Sequence, residues 1–127
     1  MAHVLLIDDD ETLRTLLRRH LERLGYRVTG AANGRDALGL CRTDTVDVAL
    51  VDIFMPEMDG FEVIQRLRRE HPAIKVVAMS GGGHYGMIGM LEAATRSGAH
   101  GALQKPAQLT EIAATIARAL GEDAWTP

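Results

Sequence analysis

A doubly wound α/β domain is the fold class this sequence predicts, and three observations carry the prediction. Short apolar runs alternate with stretches of helical periodicity along the chain. The clearest of these runs, Val4–Ile7, Val48–Val51 and Ile74–Met79, are apolar almost throughout, as strands buried on both faces of a parallel sheet must be. The links between the segments are short, which suits strand–helix units wound about one sheet and covering both its faces.

Size and charge bound the answer. The chain has 127 residues, 46% of them apolar and 24% charged, the composition of an ordinary soluble globular domain that needs no staples. A single domain is expected over residues 1–121, with 122–127 as a C-terminal tail. The formal net charge of −3 gives no bulk attraction to nucleic acid or to an anionic membrane. Cys41 is the one cysteine, which excludes an intramolecular disulfide and a cysteine-rich zinc site. No basic stretch precedes the first apolar run, and no later run is long enough to span a bilayer. A cytoplasmic location with no membrane partner is the expectation.

The elements follow in order. Residues 3–7 form the first strand, closed by Asp8, Asp9 and Asp10. Leu13, Leu16, Leu17, Leu21 and Leu24 recur at helical spacing from Glu11 to Leu24, and Gly25 stops that helix. A second strand runs from Tyr26 to about Ala31, and Asn33 caps a short helix through Ala37, Leu38 and Cys41. The third strand, Val48 to Val51, runs straight into Asp52, and a turn built from Pro56, Asp59 and Gly60 opens a helix with Phe61, Ile64 and Leu67 on one face. That helix ends at His71-Pro72. Residues 74–80 make a fourth strand, and a glycine-rich loop over 81–86 leads to a helix from about Met87 to Ser97, capped by Gly98. A fifth strand spans roughly Gly101 to Gln104. The last helix, Leu109 to Leu120, turns Leu109, Ile112, Ala113, Ile116 and Leu120 inward.

In such a topology the carboxyl ends of all the strands share one edge, where open α/β sheets bind ligands. Asp8, Asp9 and Asp10 close strand one, Asp52 closes strand three, Ser80 closes strand four, and Lys105 follows strand five. Carboxylates crowded on one rim repel one another unless a cation sits among them. Oxygen donors alone suit Mg²⁺ or Mn²⁺ better than zinc. A lysine and a hydroxyl beside them can hold phosphoryl oxygens, so the set suits phosphoryl transfer onto a carboxylate.

Taken together, LLIDDDE, DIFMPEMDG, MSGG and QKP resemble, in type and in order, the receiver domains of two-component response regulators, the CheY-like superfamily, over residues 3–120. The resemblance implies a five-stranded parallel (βα)5 flavodoxin-like fold with strand order 2-1-3-4-5. It also implies that Asp52 is the phosphoacceptor and that Asp8, Asp9, Asp52 and the Phe54 backbone carbonyl hold Mg²⁺ or Mn²⁺, Asp8 at least partly through water. Ser80 and Lys105 would contact the phosphoryl group, with the Lys105-Pro106 bond cis. The implied phosphodonor is a sensor histidine kinase or a histidine phosphotransfer protein. The domain would catalyse its own phosphorylation and slow dephosphorylation without being a conventional enzyme, as a monomer or weak dimer with no direct nucleic-acid contact. It stands alone or is the N-terminal part of a longer regulator.

Two departures from the family pattern bear on signalling. Ala102 occupies the position, three residues before the lysine, where the family carries an aromatic, and SGGGHYG after the fourth strand is a longer link than usual. Without a side chain to rotate at position 102, activation is expected to order the 81–86 loop and shift the start of the helix at Met87.

Other residues take plainer readings. Asp10 caps the first helix. His3, His20, His71, His84 and His100 lack ligand spacing and read as surface or packing residues, with His84 set apart only because its loop borders the site. Met79, Met87 and Met90 fill the core or a groove. Arg14, Arg18, Arg19 and Arg23 form a charged helix face, as do Arg66, Arg68 and Arg69; the resemblance implies that Arg14 and Arg18 help dock the phosphodonor. The alternative of a magnesium-dependent phosphohydrolase with an aspartyl nucleophile calls for a second acid two residues on, where this chain has Phe54, and for a cap region it lacks.

Overall fold

The computed structural model of the chain describes residues 1–55, 58–81 and 87–121, with residue 81 and residues 87–91 described by backbone alone. The sequence-based readings of Pro56, of the 82–86 segment with His84, of the Met87 and Met90 side chains and of the tail 122–127 fall outside what is described.

Five parallel strands alternate with five helices. These are β1 (His3–Ile7), α1 (Glu11–Arg23), β2 (Arg27–Ala31), α2 (Gly34–Thr43), β3 (Val48–Asp52), α3 (Gly60–Glu70), β4 (Lys75–Gly81), α4 (Met87–Arg96), β5 (Gly101–Lys105) and α5 (Leu109–Ala119). The sheet order is β2-β1-β3-β4-β5, as expected. Because strand residues alternate between faces, each strand feeds two cores. Leu5, Ile7, Ala49 and Val51 pack with Ala37, Leu38, Val63, Ile64 and Leu67 on one side. Val4, Leu6, Val48 and Leu50 pack with Leu17, Leu21, Ile112 and Ile116 on the other.

Helix ends are set by side chains. Asp10, Asn33 and Asp59 each occupy an N-cap and accept a backbone N–H three residues on, from Leu13 (3.1 Å), Asp36 (2.8 Å) and Glu62 (2.9 Å). At the other ends, Gly25 (φ 97°) and Gly98 (φ 117°) take the left-handed conformation that closes α1 and α4.

Several boundaries and faces differ from the sequence expectation, each for a local reason. β2 begins at Arg27 because the Tyr26 N–H is still spent on Leu21 O at the end of α1. Ile74 belongs to a turn, donating to His71 O, so β4 starts at Lys75; it extends to Gly81 because that residue pairs with Lys105. The same pairing makes Lys105 the last residue of β5 rather than the residue after it. α4 stops at Arg96, where Ser97 folds its hydroxyl back onto Ala93 O. In α1 the buried stripe is Leu17 and Leu21 with Leu13 half-buried, while Leu16 and Leu24 are 49% and 55% exposed. Leu16 lies about 100° round the helix from that stripe, and Leu24 is the C-cap. In α3, Val63 joins Ile64 and Leu67 in the core and Phe61 is half-buried; in α5, Leu109 and Leu120 are half-buried.

Candidate functional site

Parallel pairing brings the strand ends to one edge. Ile7 lies opposite Val51, Asp52 opposite Met79, and Ser80 opposite Gln104. The residues just beyond β1 therefore meet the last residues of β3, β4 and β5. Asp8 remains tied to the sheet by its N–H to Ala31 O (3.1 Å). Asp8 and Asp52 are 3% and 4% exposed, Asp9 is exposed, and ligand oxygens of the three lie within 4.8 Å of one another.

The one ammonium among them is Lys105. Its Nζ donates to Asp8 Oδ2 at 2.8 Å and stands 3.6 Å from Asp52 Oδ2. Both oxygens of Asp8 are engaged, since Oδ1 accepts the Asp10 N–H (2.9 Å). Asp52 Oδ1 accepts the Phe54 N–H at 3.2 Å. Ser80 is fully buried, and its Oγ has no hydrogen-bond partner among the described residues. An orphaned hydroxyl in that setting costs free energy that a bound polar group would recover. The Lys105-Pro106 bond is cis.

Electrostatics mark the same spot. Burial, reinforced by the charge of Asp8, pushes the Asp52 carboxyl up to about 6, against the opposing pull of Lys105 and the Phe54 N–H. Burial disfavours the Lys105 ammonium, but its hydrogen bond to Asp8 and the charges of Asp52 and Asp8 outweigh it, and the net shift is upward. Three carboxylates outnumber the Lys105 ammonium and the Arg14 guanidinium beside them, and their hard oxygen donors could hold a metal ion.

The backbone behind Asp52 doubles back tightly. Gly60 N donates to Ile53 O (2.9 Å), and a Cβ on Gly60 would stand 2.5 Å from Asp52 O and from Ile53 Cα. Beside the site, Asp10, Leu13, Met79, Lys105, Pro106, Ala107 and Ile112 line a groove of about 370 Å³. Met79 is a buried core residue there, as expected.

This arrangement has close counterparts. The response regulator receiver domain pattern matches residues 4–117. The chain belongs to that family. Transcriptional regulatory protein ZraR of Escherichia coli (strain K12) is 34% identical over 128 residues, spanning 98% of this chain and 28% of ZraR. Across the curated relatives compared, the chain spans 24% to 32% of their length. Among solved structures, chemotaxis protein CheY4 of Vibrio cholerae superposes with a TM-score of 0.84 at 29% identity, covering 94% of this chain and 98% of that one. A response regulator protein from Burkholderia pseudomallei, solved with a phosphorylated aspartic acid, a calcium ion and citrate, superposes at 0.82 and 29% identity, covering 95% of this chain and 69% of that one. As a receiver domain the chain belongs to two-component signalling rather than to the phosphohydrolases. Among the described residues no helix is long and apolar enough to cross a membrane.

The receiver's sequence-predicted rim residues Asp8, Asp9, Asp52, Ser80 and Lys105 all reach this edge, and Asp10 serves α1 as its cap. Other features escaped the sequence. The D-G-F step hides Asp59 as a cap, and the close approach at Gly60 arises only in the folded chain. Arg14, expected at a docking face, donates from Nη1 to the Asp8 carbonyl at 2.6 Å. His3 and His100 prove structural, as a lack of ligand spacing suggests. His3 is buried at the opposite edge between Thr45 O and Thr29 Oγ1, both 2.7 Å away. His100 Nδ1 accepts the Val76 N–H at 3.0 Å.

Proposed function

We propose that Asp52 accepts a phosphoryl group from the phosphohistidine of a sensor kinase or a histidine phosphotransfer protein. One observation supports this above the others: Asp52 is a buried carboxylate flanked by an ammonium and a second acid pair, on the strand edge where Ser80 carries a buried hydroxyl with no partner among the described residues. In the transfer an Asp52 carboxylate oxygen attacks phosphorus and the phosphorus–nitrogen bond breaks. Its electron pair stays on the imidazole nitrogen, which takes up a proton. Lys105 exchanges part of its contact with Asp8 for a phosphoryl oxygen, and the Ser80 hydroxyl donates to another. Buried donors aimed at developing charge lower such a barrier strongly.

Asp9, Asp52 and the Phe54 carbonyl would hold Mg²⁺ or Mn²⁺ directly, and Asp8, whose oxygens already serve Lys105 and Asp10 N, would act through water. The cation, when bound, offsets the negative charge of the carboxylates and the incoming phosphoryl group. The same groups support self-phosphorylation from small phosphodonors and slow hydrolysis. The phosphorylated aspartic acid and calcium ion named for the Burkholderia pseudomallei protein favour this reading. Residues 1–121 act as the receiver unit. Because the relatives include transcriptional regulators more than three times as long as this chain, the signal is read out by a partner or an attached DNA-binding domain.

Incubation with acetyl phosphate and Mg²⁺ tests the assignment. Intact mass should rise by one phosphoryl group, lost on treatment with hydroxylamine, and Asp52→Asn should stay unmodified. Equal labelling of that variant would overturn the acceptor assignment.

A further inference from the structure

β1 ends at Ile7, and the carbonyl of Asp8 has already left the sheet. Arg14, one turn into α1, supplies its partner: Nη1 donates to Asp8 O at 2.6 Å. That carbonyl belongs to the peptide plane joining Asp8 to Asp9. The Asp8 side chain is held independently, by Lys105 Nζ and Asp10 N. Asp9 has no such support: it is exposed, and no hydrogen bond to its carboxylate is made among the described residues. Where Asp9 points therefore depends on the two peptide planes that flank it: Asp10 N on Asp8 Oδ1 holds the one that follows, and Arg14 holds the one that precedes it.

The room for Arg14 is made by β2. A Cβ placed on Gly30 would already be in contact, 3.4 Å from Arg14 Cδ, 3.5 Å from Arg14 Nε and 3.6 Å from Arg18 Nη2, so a side chain extending beyond it toward α1 competes for the space that the Arg14 stem occupies. A solvated helix-face arginine would have neither the carbonyl contact nor a bare backbone beneath its stem.

We propose that Arg14 is a positioning residue for the cation site, fixing the Asp8–Asp9 peptide so that the Asp9 carboxylate faces Asp52, and that Gly30 is the clearance it requires. The inference rests on the reading of Asp9 as a direct cation ligand. The sign of the effect separates positioning from charge. Removing a guanidinium beside three carboxylates would, by electrostatics alone, strengthen binding of a divalent cation. Loss of positioning weakens it, typically by about 10-fold for residues that orient a ligand.

Mn²⁺ binding to the full chain, followed by electron paramagnetic resonance with no phosphodonor present, tests this. Arg14→Ala should weaken binding by about 10-fold, and Arg14→Lys, which keeps the charge and one donor, should fall between. Gly30→Leu should reproduce the loss from the opposite element, and the double variant should be no weaker than Arg14→Ala alone. Circular dichroism of each variant confirms the fold. Unchanged or tighter Mn²⁺ binding in Arg14→Ala, or additive losses in the double variant, would overturn the proposal. Asp9→Ala is the control: if it binds Mn²⁺ as the unmodified chain does, the ligand assignment itself fails, whereas a loss confined to Asp9→Ala removes only the role of Arg14.

Discussion

Lys105 Nζ lies closer to Asp8 than to Asp52, 2.8 Å against 3.6 Å, so in the unmodified chain the lysine belongs chiefly to Asp8 and not to the proposed phosphoacceptor. Asp8 is 3% exposed, and taking its partner away leaves a buried charge uncompensated. Lys105→Met should therefore lower stability at neutral pH by on the order of 3 kcal/mol in the presence of chelator. Added Mg²⁺ should return part of it by binding the native state alone. Urea denaturation with and without Mg²⁺ reads both quantities, and an unchanged midpoint in chelator would show that the ion pair is not a stabilising contact.

Asp52 makes the opposite prediction. Its folded-state value of about 6 lies above the ordinary 3.8, so the native state holds the proton more tightly than the unfolded chain. Stability is then lost as pH rises from about 4 through 6, and stays lower above that. Asp52→Asn removes the titration. It should match the unmodified chain near pH 4 and exceed it at pH 7.5 in chelator, by on the order of 1–3 kcal/mol. Saturating Mg²⁺ should shrink the gap. A variant that gains nothing at pH 7.5 would mean that Lys105 already compensates the charge.

The acidic run tests how far neighbouring aspartates differ in role. Asp10→Ala removes the acceptor for Leu13 N and should cost roughly 0.5–2 kcal/mol of stability. Cation affinity should change little. Asp9→Ala should do the reverse, since its exposed carboxylate caps nothing. Magnesium titration by NMR beside thermal melts separates the two, and equal weakening of Mg²⁺ binding by both would reassign Asp10.

What was legible in the sequence was whatever repeats locally. Runs such as Val48–Val51 and the stripe through Leu17 and Leu21 announce their elements, and a doubly wound topology then places Asp8, Asp52, Ser80 and Lys105 on one edge. The rest depends on rotation and on partners distant in sequence. Leu16 has the same chemistry as Leu17 but points 49% outward, because one residue turns a helix by about 100°. Lys105 belongs to β5 only because Gly81 pairs with it. Arg14 reads in the sequence as part of a charged, phosphodonor-docking helix face, and only the docking of α1 over Gly30 lets its guanidinium find a carbonyl six residues back.

Gly60 is a position where one methyl group should matter. A Cβ there would stand 2.5 Å from Asp52 O and from Ile53 Cα, and both are backbone atoms that cannot step aside by a change of rotamer. Gly60→Ala should cost about 1–3 kcal/mol or more by overpacking. It should also weaken Mg²⁺ binding, because the backbone that gives way carries Asp52. Gly39, inside α2 with nothing within 4 Å of its missing Cβ, is the internal control. Gly39→Ala should gain roughly 0.5–1 kcal/mol from helix propensity and leave Mg²⁺ binding alone. Equal stability of the two alanine variants would mean that the β3–α3 connection relaxes freely.

His100 ties the start of β4 to the approach of β5 and should make that end of the sheet sensitive to acid. Its Nδ1 accepts the Val76 N–H at 3.0 Å, a bond available only to the neutral ring. Burial, and then the charges of Arg68 and Lys75, lower its pKa below the ordinary 6.5. The folded state thus binds this proton less readily than the unfolded chain. The contribution is fully present above 6.5 and fades as pH falls through that value and on toward the depressed folded-state value. Because the ring is largely exposed, solvent screening keeps the effect small. Amide hydrogen exchange at Val76, compared between pH 7.5 and pH 5 after correction for intrinsic rates, should show protection falling at the lower pH, and His100→Gln should flatten that dependence. Protection at Val76 that does not change with pH in the unmodified chain would mean that Val76 keeps its N–H satisfied without the imidazole.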